Sequence, residues 1–302
     1  MSNTLQSLSQ ELTSLVEATA SSVVAIAGRS RRGRGFAATG IHWQDNLIVT
    51  SAEAIPPKDS LIVTLPDQST CRVDRIGTDP TTDIAVFKLP HDIDIPPIAP
   101  TTDPVAVGHF VVAVGRDTDR GVHAHLGLIN SVGGPWQSLS GGDIDQFIRV
   151  DVNLRRGGAG SALVDVQGQV IGFSTFGPHR TVLTIPTETI SRVVQQLQDK
   201  GHVSRGYLGL GMQPVKLPES LGQQYGLANE FGIMIISVEP EQSAEQAGIV
   251  LGDILVSIDK QVVQDPQEIQ PFLTSQNVGK VLQIQLIRGG QLQDISVTVG
   301  ER

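Results

Sequence analysis

The chain has 302 residues, enough at ~100–200 residues per domain for two domains with separate hydrophobic cores. Apolar residues make up 39% and charged residues 18%, a globular composition rather than a disordered one. Acidic residues outnumber basic ones, 31 to 22, and the net charge of −9 argues against nucleic acid as the main partner; the single cysteine, Cys71, rules out an intrachain disulfide and a thiolate-rich metal site.

Residues 1–20 contain no basic residue, two acids (Glu11 and Glu17) and no continuous apolar run. A secretory leader needs a positive start and ~7–15 consecutive apolar residues, so the expected compartment is the cytoplasm, or an extracytoplasmic one if a leader has been removed. Leu5, Leu8, Leu12, Leu15 and Val16 recur at helical spacing and predict an amphipathic helix over 1–20. No window approaches the ~18 apolar residues of a membrane span, and none is expected.

From 21 to 203 short runs rich in Val and Ile alternate with Gly, Pro, Asp and Asn. Strands are predicted at 22–27, 47–50, 61–65, 84–89, 110–114, 147–150, 169–175 and 182–185. Many strands without intervening helices point to antiparallel barrels or a sandwich. Pro186 is placed just inside a helix start, Ile190, Val193, Val194 and Leu197 form its apolar face, and Gly201 supplies a left-handed cap. This helix reads as a connector.

A different module occupies 204–302, with strands at 233–238 and 254–258, a short helix near 243–247 and a closing hairpin around Gly289-Gly290. Asp265-Pro266-Gln267-Glu268 has the chemistry of a helix start: a capping Asp, Pro at the first helical position and Glu three residues after the cap. Ile269, Phe272 and Leu273 fall on one face of that helix.

The segments Leu47-Ile-Val-Thr-Ser-Ala-Glu-Ala-Ile55, Asp79-Pro-Thr-Thr-Asp-Ile-Ala-Val86, Gly157-Gly-Ala-Gly-Ser-Ala-Leu-Val164 and Gly168-Gln-Val-Ile-Gly172 stand in that order. Arg205-Gly-Tyr-Leu-Gly-Leu210, Ala244-Glu-Gln-Ala-Gly-Ile249 and Gly252-Asp-Ile-Leu255 follow them. Together they resemble the HtrA/Deg family of serine proteases from about Leu15 to Val299. The resemblance implies a mainly β protein, a chymotrypsin-like double β-barrel followed by a small α+β PDZ domain.

The resemblance also locates the catalytic positions, and two of the three are changed. Where the family reads Thr-Asn-Ala-His, the fourth residue here is Glu53; where it reads Gly-Asn-Ser-Gly-Gly-Pro-Leu, the nucleophile position holds Ala159. Only Asp83 matches its counterpart. A serine attacks when a neighbouring imidazole takes its proton, and the aspartate orients that imidazole. Alanine has no atom to attack with, and glutamate offers Asp83 no N–H. Two close carboxylates repel, so one takes up a proton or finds a cation, with Arg155 and Arg156 in the preceding loop as candidates. The amides of Gly157 and Ala159 would still form an oxyanion hole, able to bind and unable to cleave.

Other groups read more plainly. Ser51 and Ser161 are small turn residues rather than replacement nucleophiles. His42, His91, His109, His179 and His202 are scattered, and His123 and His125 share a strand face without a third ligand, so no metal or other cofactor is expected. Glu53 and Asp83 read as an inert remnant rather than a working acid pair, and Arg29, Arg31, Arg32 and Arg34 as a solvated hairpin. In the second module Tyr207-Leu208-Gly209-Leu210 matches the family's carboxylate-binding loop, and the strand through Gly211 and Met212 would accept a peptide as an added strand. Ile269 and Leu273 are expected to face the last peptide side chain.

The expected function is binding of peptide or protein C-termini and unfolded polypeptide, as scaffold, adaptor, chaperone-like holder or regulator of an active relative. The other reading, in a different class, is an active endopeptidase with serine natively at 159 or a rewired site. The resemblance implies a homo-oligomer, a trimer by family habit, although the aromatic cluster that usually locks the trimer is not evident.

Overall fold

The computed structural model describes residues 2–302 except 30–34, 58, 59, 92, 156, 179, 180, 228 and 229. The chain divides into two compact units, Met1–Val203 and Ser204–Arg302. The first starts with helix α1 (Ser2–Ala20), which carries the predicted apolar stripe. Only its C-terminal half is covered: Leu12, Leu15 and Val16 pack on the core, while Leu5 and Leu8 are 73% and 51% exposed.

Strands β1 (Val23–Arg29), β2 (Gly35–His42), β3 (Leu47–Ser51), β4 (Ser60–Thr64), β5 (Thr70–Asp79) and β6 (Ile84–Lys88) close a barrel in the order β1-β2-β3-β6-β5-β4. Val24, Ile26, Ile48, Val63, Val73 and Phe87 fill it. Next come β7 (Phe110–Asp117), β8 (Gly121–Gly133) and a small hairpin of β9 (Trp136–Gln137) and β10 (Asp143–Ile144). Strands β11 (Phe147–Val150), β12 (Ser161–Val164), β13 (Val170–Phe176) and β14 (Val182–Pro186) join β7 and β8 in a second barrel, β11-β14-β13-β12-β7-β8. This is the expected chymotrypsin-like pair. Helix α2 (Thr187–Lys200) ends at Gly201 in the predicted left-handed conformation, φ 75°. Pro186, however, is extended and closes β14, so it stands at the cap and not inside the helix. Nor is α2 only a connector. Ile190, Val193, Val194 and Leu197 are buried in the cluster that joins both barrels, alongside Val49, Val86, Val114 and Phe173.

The second unit pairs β15 (Gly206–Tyr207) with β22 (Gly300–Glu301). Its main sheet runs β16 (Leu210–Lys216), β17 (Phe231–Val238), β18 (Ile254–Ile258), β20 (Val281–Arg288), β21 (Gln291–Thr298), with β19 (Gln261–Val262) beside β18. Helices α3 (Glu219–Tyr225) and α4 (Ser243–Gln246) lie in the connections. The segment Pro266–Phe272 is a 3₁₀ helix rather than an α-helix. Pro271 inside it lacks an amide N–H and blocks the wider α turn. Asp265 caps it as predicted, accepting from the Gln267 amide at 2.8 Å, but Glu268 reaches one residue further back, to the Gln264 amide at 2.7 Å.

Candidate functional site

Asp83 sits at the start of β6 with φ 60°, in a left-handed turn that lays its carboxylate between the barrels. One oxygen accepts the Glu53 amide at 2.7 Å; the other accepts the Thr175 hydroxyl of β13 at 2.5 Å. The Ser51 hydroxyl donates between both, at 3.0 and 2.8 Å. Ser51 is therefore a buried support for Asp83. Thr175 was not singled out in the sequence, because its partner lies 92 residues away in the other barrel. Among the described residues no imidazole bonds to Asp83.

Burial pushes the Asp83 carboxyl above its ordinary range, against the downward pull of Thr175, Glu53 N–H and Ser51. The Glu53 carboxyl is also raised, first by partial desolvation and then by the charge of Asp83. The expected repulsion is present, and both groups shift toward the protonated form. Of the two candidate arginines only Arg155 lies among the described residues. Arg155 is exposed, and its charge acts on His125, whose pKa is lowered first by burial and then by that charge; Arg156, His179, Arg31, Arg32, Arg34 and the side chain of Arg29 lie outside the described residues.

Ala159 is 5% exposed, and its loop is held from the first barrel. The Thr39 amide donates to the Ala159 carbonyl at 2.9 Å, and the Thr39 hydroxyl donates to the Gly157 carbonyl at 3.3 Å while accepting the Arg116 amide at 3.1 Å. Gly160 takes φ +84°, and a Cβ there would overlap the Thr39 carbonyl oxygen, so only glycine fits. Among the described residues no backbone carbonyl accepts from the amides of Gly157 and Ala159. Each of these amides could donate to a carbonyl or carboxylate oxygen.

One juxtaposition was not legible in the sequence. Ser161 Oγ and His123 Nε2 each lie 2.5 Å from where a Cβ on Gly115 would be, and His123 Nδ1 is 3.9 Å from Asp117 Oδ2. Neither Ser161 Oγ nor His123 Nδ1 has a hydrogen-bond partner among the described residues. Burial holds His123 below its usual pKa, so it is neutral near pH 7. Ser161 is nevertheless sealed, at 1% exposure. No cluster of three or more metal-ligating side chains is found among the described residues.

In the second unit Gly209 takes φ +77° against Gln242, where a Cβ would clash with that side chain. The Gly209 and Leu208 carbonyls accept from the amides of Glu239 (2.8 Å) and Ala244 (3.0 Å). Among the described residues no backbone carbonyl accepts from the Leu208 and Gly209 amides. The Tyr207 hydroxyl donates to Glu239 at 2.6 Å, and the Arg302 guanidinium lies 4.9 Å over the Tyr207 ring. Leu210, Met212, Phe272 and Leu273 are partly buried against the core. One expected ligand contact is corrected: Ile269, expected to face the last peptide side chain, is a fully packed core residue, because the 3₁₀ turn directs it inward; the Leu208 side chain is core as well, which leaves its backbone amide as the group the loop offers.

A trypsin-like peptidase domain model matches residues 38–173, and a PDZ domain model matches 206–299. A probable periplasmic serine endoprotease, DegP-like, of Brucella suis is 30% identical over 276 residues, covering 89% of this chain and 52% of that protein. A probable periplasmic serine protease, do/HhoA-like, of Haemophilus influenzae is 27% identical, covering 89% and 60%. The chain thus spans about half the length of the curated relatives it matches. Among solved structures, the serine endoprotease from Yersinia pestis aligns at 25% identity, TM-score 0.71, over 95% of this chain and 97% of that one. The HtrA-type protease AlgW with tripeptide aligns at 26%, TM-score 0.69, over 95% and 96%. With two barrels of the trypsin type, a PDZ domain after them and relatives matched across both, the chain belongs to the HtrA family of serine proteases with one PDZ domain.

Proposed function

We propose that this chain is an HtrA-like pseudoprotease, one that binds polypeptide C-termini or unfolded segments through its PDZ domain without cleaving them. The observation carrying the reading is the pair Ala159 and Glu53: a methyl group stands at the nucleophile position, and Asp83 is bonded to hydroxyls and an amide instead of an imidazole. Loss of nucleophile or base alone costs about 10⁶-fold in turnover in a well-studied serine protease, and here both are replaced. The free amides at Gly157 and Ala159 support retention of peptide affinity in the cleft. Those at Leu208 and Gly209 support capture of a carboxylate terminus. Scaffold, adaptor or chaperone-like holding follows from binding without turnover. The relatives' names favour the periplasm, and the cytoplasmic expectation finds no support among them. The exposed Leu5 and Leu8 of α1 are consistent with a homo-oligomer.

A second reading, hydrolysis through a rewired site, draws on the Asp117, His123, Ser161 alignment. The burial of Ser161 weighs against it, since its hydroxyl meets a peptide carbonyl only if β12 moves.

Casein and a fluorogenic peptide, assayed with the unmodified chain, Ala159→Ser, and Ala159→Ser with Glu53→His, test both. The expected result is turnover only in the double substitution. Turnover by the unmodified chain overturns the pseudoprotease reading, and its loss in Ser161→Ala assigns the activity to the rewired site.

A further inference from the structure

We propose that Pro214 weakens the ligand-binding edge of β16 beyond Met212, so that the PDZ groove recognises a free C-terminal tail chiefly through its last three residues, with only one carbonyl acceptor left for main-chain pairing at 214. This inference rests on the peptide-binding reading above and gives it a ligand length and chemistry.

Strand β16 is the edge of its sheet, bonded to β17 on one side and, among the described residues, to no strand on the other. Along an antiparallel strand alternate residues turn their N–H and C=O toward the partner, and those between turn away. The phase is fixed at both ends of β16. The Leu217 amide donates to Glu230 across the pair at 2.9 Å, and the Gly209 carbonyl accepts the Glu239 amide at 2.8 Å. Residues 209, 211, 213, 215 and 217 therefore face β17, and Leu210, Met212, Pro214 and Lys216 face the open edge. The register shift between Gly211 and Met212 places its extra residue, Ile236, on β17, so the alternation along β16 is unbroken.

Proline in this place costs the sheet nothing, because its missing N–H would point outward. For a ligand strand it is an interruption. An incoming chain finds donors at Leu210 and Met212, then at 214 a ring and an outward carbonyl that can accept but no N–H to donate, and proline on an edge is a general device against strand addition. The next outward amide, Lys216, is ~13 Å beyond Met212, past the interruption.

With a terminal carboxylate on the Leu208 and Gly209 amides, the last ligand residue lies along Leu210 and the third from the end along Met212. Leu210, Met212 and Leu273 are apolar and only partly buried, which suits an apolar final side chain. Pro214 itself is exposed.

The test uses the full chain and fluorescence anisotropy with labelled peptides ending Ala-Leu-Val, as tripeptide, pentapeptide and decapeptide. All upstream residues are alanine, and each peptide is made as free acid and as C-terminal amide. The three free acids are expected to bind within about tenfold of one another, the worth of the one bond left at the Pro214 carbonyl. One restored main-chain hydrogen bond is worth about three- to tenfold. Pro214→Ala and Pro214→Val are therefore expected to tighten the pentapeptide and decapeptide by that factor while leaving the tripeptide unchanged. A pentapeptide more than about tenfold tighter than the tripeptide on the unmodified chain overturns the length limit, as do both substitutions leaving the length dependence unchanged. If no free acid binds, or amides bind as well as acids, the carboxylate-groove reading itself fails and takes the length limit with it.

Discussion

Replacing Thr175 by valine tests how the carboxylate of Asp83 is held. Valine matches the shape of threonine and removes only the hydroxyl, which is buried and donates at 2.5 Å to Asp83 Oδ2. A hydrogen bond to a charged group contributes ~1.5–3 kcal/mol, so a loss of about 2 kcal/mol is expected at neutral pH. The same substitution removes a donor that favours ionisation, and the Asp83 carboxyl, already raised by burial, rises further. At about pH 3.5, just below the ordinary aspartate value, Asp83 is mostly protonated in both folded and unfolded chains, and the loss should fall to ~1 kcal/mol or less. The penalty thus grows as pH rises. Urea unfolding followed by tryptophan fluorescence reads this out cleanly, because both tryptophans, Trp43 and Trp136, lie in the barrel unit. Equal losses at the two pH values would show that Thr175 acts by packing alone, and no loss at neutral pH would remove the charged hydrogen bond from the account.

Glu53→Gln should stabilise the barrel unit slightly at neutral pH. Because the Glu53 pKa is raised, the folded state binds more protons than the unfolded one, so its contribution falls as pH climbs from the ordinary glutamate value through the raised one. The difference from the unmodified chain should vanish in acid, checked by the same unfolding curves. Arg288→Met should weaken the second unit by about 3 kcal/mol, since it leaves Asp253, 1% exposed, without its 2.8 and 2.7 Å guanidinium bonds. Faster amide exchange across β18 and β20 is the readout. Arg116→Met removes donors to the Ala20 and Val23 carbonyls, 2.8 and 2.9 Å, and should release α1, seen as quicker proteolytic trimming of residues 2–20 at unchanged barrel fluorescence.

Strands with inward Val and Ile, such as β1, β3, β6 and β13, were legible because their own side chains supply the core. Others were not. In β2 small residues separate Phe36 from the buried Ile41, and the space over Gly40 is filled by Ile48 of β3, so the strand shows no continuous apolar run of its own. In β8 the usual pattern is inverted: Val122, Leu126 and Leu128 point outward, while His123 and His125 turn inward. Motif order supplied Glu53, Asp83 and Ala159 as candidate positions, and of these the structure shows Asp83 accepting the Glu53 amide. The support of Asp83 by Thr175 and the clamp on the Ala159 loop by Thr39 were hidden, since both join segments about a hundred residues apart. Pro271 lay in plain view, yet the strong cap at Asp265 outweighed it in the reading, and the segment winds as 3₁₀.

The Thr39 clamp has an evolutionary consequence. It grips backbone atoms only, so it is indifferent to which side chain residue 159 carries. A lineage could exchange hydroxymethyl for methyl at that point without paying in architecture, and selection on folding would keep the empty cradle intact for as long as the barrels remain useful for something else.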